Sequence, residues 1–90
     1  MPGEAYTIEF APRAAKELRD LERPDQVRVA AKIDSLAQNP RPHGVEKLSG
    51  EEDLYRVRVG NYRIIYKIQD ARLVVLVVKI GHRRDVYRKR

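Results

Sequence analysis

The stretch Leu54-Tyr55-Arg56-Val57-Arg58-Val59-Gly60-Asn61-Tyr62-Arg63-Ile64-Ile65-Tyr66 decides the fold. Large apolar and polar side chains alternate from Leu54 to Val59, the period-two pattern of a strand with one buried face. Gly60-Asn61 is a two-residue turn of the kind that closes hairpins, and Tyr62 to Ile68 forms the return strand. A loop of that length fixes the register: Val59 faces Tyr62, Arg58 faces Arg63, and Val57 faces Ile64. Arg56, Arg58 and Arg63 then share one face, with Val57, Val59, Tyr62 and Ile64 turned to the other. Directly opposed guanidiniums repel, at a cost of up to about 1 kcal/mol. A sheet surface that gathers three of them suits an anion, because their planar donor forks match the oxygens of a phosphate in pairs. The bland alternative is a solvated outer face whose arginines pair with Glu51, Glu52 or Asp53.

Towards the C-terminus, Asp70-Ala71 makes a second tight turn into Arg72 to Ile80, whose nearly unbroken apolar run predicts a central strand covered on both faces. Gly81 ends it. Towards the N-terminus, Tyr6 to Phe10 alternates as a half-buried strand, and Pro12 suits the first turn of a helix. Ala14, Ala15, Leu18 and Leu21 carry that helix to Glu22, with Lys16, Arg19 and Asp20 facing out. A second helix runs from Pro24 to Asn39-Pro40, with Val27, Ala30, Ala31 and Asp34 on one stripe and Val29, Ile33, Leu36 and Ala37 beside it. Residues 40–53, rich in Pro, Gly and acidic side chains, read as a loop. The sum is an α+β fold, β-α-α-β-β-β: an N-terminal strand, a two-helix hairpin, then a three-stranded antiparallel meander, with the helices packed on one sheet face. At 90 residues, 1–90 is expected to be one domain.

Charge is distributed unevenly. Residues 1–53 hold 8 Lys/Arg and 11 Asp/Glu, a net −3, whereas residues 54–90 hold 11 and 2, a net +9. A cationic C-terminal third favours a polyanionic partner and salt-sensitive association. The chain contains no Cys and only His43 and His82, so a zinc site would need carboxylates for most of its ligands; no metal and no cofactor are expected. The longest apolar stretch, Leu73 to Val78, is too short to span a bilayer, and no basic-then-apolar leader is visible. The expectation is a cytoplasmic protein with no membrane partner.

The tail Gly81-His82-Arg83-Arg84-Asp85-Val86-Tyr87-Arg88 leaves the central strand beside the hairpin. Arg83 and Tyr87 share a side if this segment turns helically. The phenol of Tyr87 can stack on a base, or exchange a proton if surrounding cations lower its pKa; it suits a core anchor equally well. His82, next to a glycine, reads as a surface residue rather than a catalytic one.

Together, the hairpin and the GHRRDVY tail resemble the core and tail signature of RelE-type toxins in the RelE/ParE superfamily, and the order of elements matches from about Tyr6 to Arg88. The resemblance implies the toxin of a type II toxin–antitoxin system: a ribosome-dependent endoribonuclease that cuts messenger RNA in the decoding site beside 16S ribosomal RNA, held inactive by a RelB-like antitoxin. Arg63 and Arg83 match arginines that grip the scissile phosphate. Tyr87 matches the C-terminal tyrosine that stacks on or activates the substrate, giving a catalytic set of Arg63, Arg83 and Tyr87. Arg56, Arg58, Lys67, Arg84 and Arg88 are the expected RNA contacts. Arg56 and Arg58 stand where well-studied members carry lysines, one proposed as a proton acceptor. Arginine stays protonated and does not fill that role. RNA brings its own nucleophile, the 2′-hydroxyl, so alignment and charge neutralisation without a metal are the expected route. Two alternatives remain open: a ParE-type inhibitor of DNA gyrase, and a non-catalytic module of the same fold that binds nucleic acid or antitoxin.

Overall fold

A computed structural model describes residues 5–48, 50 and 53–82. In chain order the elements are β1 (Thr7–Phe10), α1 (Pro12–Arg19), α2 (Arg23–Leu36), β2 (Glu46–Lys47), β3 (Leu54–Val59), β4 (Tyr62–Gln69) and β5 (Val74–His82). They form one five-stranded sheet in the order β1-β5-β4-β3-β2. The meander β3-β4-β5 is antiparallel as expected, and β1 joins its β5 edge in parallel, Thr7 opposite Val74 through Phe10 opposite Val77. Gly60, with φ 57°, makes the hairpin turn, and the positive φ is confined to the first turn residue, as in a type II′ turn.

Four readings of the sequence change. The segment 40–53 is not all loop: Glu46 and Lys47 pair with Arg56 and Tyr55 as an added edge strand, too short to show any period. Helix α1 stops at Arg19, because Glu22 is needed in extended conformation (φ −67°, ψ 152°) as the N-cap of α2. On α2 only the stripe Val29, Ile33, Leu36 is buried, while Val27 is 57% exposed. A helix lying on a sheet buries one stripe, and the sheet takes the bulkier one, which lacks Asp34. Finally, β5 begins at Val74, after a single 3-10 turn (Asp70–Arg72) and Leu73 in the left-handed region at φ 55°.

The core lies between the helices and one sheet face. Ala14, Val29, Ile33 and Leu36 pack against Val57, Ile64, Tyr66, Ile68, Val75, Val77 and Ile80. A β-bulge lets β5 serve this face: Ile65 pairs with Lys79 but Tyr66 with Val77, so Val78 is the extra residue and the alternation shifts by one. The opposite face of β5 is covered only in part among the described residues, with Val74 buried and Leu76 and Val78 half-buried. Strand β1 ends its pairing at Val77, and beyond it α1 takes over: the Glu17 carboxylate accepts the Ile80 N–H at 2.7 Å and an Arg13 N–H at 3.1 Å. No helix among the described residues is long and apolar enough to cross a membrane.

A polar cluster ties the segment after α2 to the sheet. The Tyr66 hydroxyl donates to the Pro40 carbonyl at 2.7 Å. Arg41 donates to both oxygens of Asp70, at 3.3 and 2.9 Å, and to the Tyr55 hydroxyl at 3.2 Å, while the Tyr6 hydroxyl donates to Asp70 at 2.6 Å. The bonds from Arg41, and then that from Tyr6, hold the Asp70 carboxyl below the usual carboxylate range. A depressed folded-state pKa contributes stability above the unfolded value of about 3.9 and loses it as pH falls through the folded value. Asp70→Asn should therefore be less stable than the parent chain at neutral pH, with the gap closing under acid. Urea denaturation of both proteins across a pH series checks this, and a gap that stays constant down to the acid limit would count against it.

Candidate phosphate-binding site

The register places the arginines as the two-residue turn requires. Val59 faces Tyr62, Arg58 faces Arg63 and Val57 faces Ile64. Arg63 therefore sits on β4 between Arg58 on β3 and Gly81 on β5. It does not lie on an open surface, however; only 6% of it is exposed. Its strand is an inner one, paired with β3 on one side and β5 on the other, while Ile65 and Lys67 on the same face of β4 are only half-buried. A guanidinium in that position acts through a lower effective dielectric than one in bulk water, so its attraction for an anion is stronger.

Arg56 is answered by an acid that the sequence reading did not single out. Both its Nε and its Nη2 donate to Oε1 of Glu46, at 3.0 and 2.6 Å. Of the partners expected for these arginines, Glu51 and Glu52 lie outside the described residues, and Asp53 precedes β3 with φ 62°. Gly44, Glu46, Arg56, Arg58 and Arg63 line a small hollow of about 60 Å³. Its field shows in the Glu46 carboxyl, which the hydrogen bond and charge of Arg56, then the charges of Arg63 and Arg58, hold below the ordinary range. Gly44 adopts φ 90°, a conformation that residues with a side chain rarely take. Nothing in the sequence pattern announced Gly44 or Glu46, because a strand of two residues has no period; their only signal was a glutamate upstream of an arginine-rich strand.

Lys67 shares the arginine face but does not line the hollow. It lies four residues beyond Arg63 on β4, about 13 Å along the strand. Arg83, Arg84, Tyr87 and Arg88 fall outside the described residues. The last described residues, Gly81 and His82, pair with Arg63 and Tyr62, so β5 ends beside the hollow. His82 belongs to the opposite face: its ring meets Tyr62 edge-on at 5.6 Å, and both line a second hollow with Glu17, Asp20, Leu21 and Lys79.

Three guanidiniums and one carboxylate around a single hollow can bind and polarise a phosphate, and fold and site together define a small α+β protein that offers clustered cations to a polyanion. A family model described as ParE toxin of type II toxin-antitoxin system, parDE, matches residues 8–87. The mRNA interferase toxin RelE of Escherichia coli K12 is 32% identical over 87 residues, which cover 92% of this chain and 90% of that protein. The crystal structure of the intact E. coli RelBE toxin–antitoxin complex superposes with a TM-score of 0.78 at 31% identity, covering 87% of this chain and 96% of that chain. An archaeal RelE–RelB complex from Pyrococcus horikoshii gives a TM-score of 0.78 at 31% identity, over 88% and 96%. The chain belongs to the RelE/ParE toxin family of type II toxin–antitoxin systems.

Proposed function

We propose that the chain is a toxin that cleaves messenger RNA on the ribosome and is silenced by a cognate RelB-like antitoxin. The observation that carries this reading is the register: Arg58 and Arg63 opposed, Arg56 beside them, and Gly81 at the end of β5 paired with Arg63. The name of the E. coli relative as an mRNA interferase and the RelE–RelB complexes among the structural relatives support it.

In the proposed reaction the 2′-hydroxyl of one nucleotide attacks the adjoining phosphorus, and the 5′-oxygen of the next nucleotide leaves. Arg63 and Arg83 hold the non-bridging oxygens and neutralise the charge that develops on them. Arg56 and Arg58 hold the backbone nearby, and Lys67, Arg84 and Arg88 extend the contacts along it. Tyr87 stacks on a base or passes a proton, with groups of 16S ribosomal RNA as further proton carriers. No step requires a metal or a cofactor, and the setting is cytoplasmic.

Primer extension on a message translated in a purified system, with and without the chain, is the direct test. Discrete cuts within the reading frame are expected, and they should vanish with Arg83→Ala and with Tyr87→Phe. The description of the matching family model favours a second reading, inhibition of DNA gyrase by a ParE-type toxin. A supercoiling assay separates the two: blocked supercoiling together with intact messages would replace the nuclease reading.

A further inference from the structure

We infer that Glu46 is a charge-selecting gate on the arginine hollow, a carboxylate of the chain's own that holds the place of one RNA phosphate and yields it only to a ligand carrying several phosphates in series. This rests on the reading of the hollow as a phosphate site and adds what that site selects.

The argument begins with β2. Its two-residue pairing sets Glu46 opposite Arg56, ten residues further along the chain. The contact is the one a phosphate oxygen would make, because one oxygen accepts from Nε and Nη2 together, the paired donor edge of the guanidinium. Glu46 also lines the hollow with Arg58 and Arg63, so among the described lining residues its carboxylate answers one of three guanidinium charges. The Glu46 side chain is 62% exposed against 20% for Arg56, and exposed ion pairs of this kind are weak. A weak internal competitor discriminates by number of contacts. A single phosphate or carboxylate has only the contacts of the hollow to gain, and must displace an anion already tethered there. An RNA strand occupies the hollow with one phosphate and adds contacts beyond it, Lys67 further along the face among them, so the one lost pair is offset by contacts that a lone anion does not make.

An opposing role for Glu46, accepting the 2′-hydroxyl proton, fits less well. Arg56 bonds and neighbouring cations favour the ionised carboxylate, which makes it a poor proton acceptor.

The test is Glu46→Gln, which keeps the shape and an accepting oxygen but removes the charge; Glu46→Ala provides a second variant. Binding of a short fluorescein-labelled single-stranded RNA is followed by anisotropy across a salt series, with no ribosome present. The glutamine variant should bind roughly fivefold more tightly, the effect of about one unit charge acting through solvent. Its plot of log affinity against log salt should be steeper by about 0.7, the value for one additional phosphate contact on a single strand. Inorganic phosphate should compete with the RNA on the variant at concentrations that leave the parent complex intact. Unchanged affinity and slope would overturn the gate. So would a large loss of message cleavage with RNA affinity unaltered, which is the signature of a proton acceptor. Failure of the parent chain to cut translated messages would remove the nuclease reading while leaving the binding difference standing, so the two ideas fail separately.

Discussion

Arg63→Ala should lower the rate of message cleavage about 10²–10³-fold, the loss of roughly 2.7–4 kcal/mol of transition-state stabilisation seen when one preorganised donor is removed. Three features single out Arg63 from the other arginines. It is buried where Arg58 is exposed, so its charge is the less screened. It lines the hollow from β4, between Arg58 on β3 and Gly81 at the end of β5. Its position is also set by pairing on both sides, so little reorganisation is needed when the phosphate becomes more charged. Arg63→Lys should recover only part of the rate, since an ammonium restores the charge without the donor fork. Fold stability should respond less than rate, because removing Arg63 also relieves its repulsion from Arg58, worth up to about 1 kcal/mol. Single-turnover cleavage measured beside urea denaturation separates the two effects. An alanine variant that folds and cuts within a few-fold of the parent rate would take Arg63 out of the chemistry.

That prediction was accessible from sequence because Gly60-Asn61 leaves the hairpin one register, and the register alone puts Arg58 against Arg63. The burial of Arg63 was not accessible in the same way. Period-two alternation gives a face without saying how well that face is covered, and along this face Arg63 is buried while Ile65 and Lys67 are half-buried. Glu46 was hidden for a different reason: β2 exists only as pairing to β3, and a strand of two residues leaves no trace in local pattern. The bulge at Val78 was masked by the uniformity of the run Val74 to Val78, in which a shift of one residue exchanges one apolar side chain for another. On α2 both candidate stripes were mostly apolar, and only contact with the sheet chose Val29, Ile33 and Leu36. Short-range periodicity thus found the elements and the arginine face, while pairing between distant segments supplied the rim of the hollow.

That rim depends on Tyr66, where the second large effect is expected. The ring is fully buried, stacks on Tyr55 with centroids 6.0 Å apart, and donates its hydroxyl to the Pro40 carbonyl at 2.7 Å. Burial pushes the phenol pKa up, so it remains a neutral donor across the physiological range. Tyr66→Ala removes the ring from a packed core, a change that costs about 3–5 kcal/mol for large aromatic side chains. A domain of this length has only about 5–13 kcal/mol to lose, so the melting temperature should fall by at least about 12 °C. Tyr66→Phe keeps the packing and strips the Pro40 carbonyl of its donor, at about 1–3 kcal/mol. The two variants divide the role of the residue: the ring holds the core together, and the hydroxyl tethers the segment that carries Gly44 and Glu46 to the hollow. Calorimetry of both should give a clearly larger loss for alanine. Equal losses would mean that the stabilisation resides in the tether, and the packing account of this side of the sheet would then be wrong.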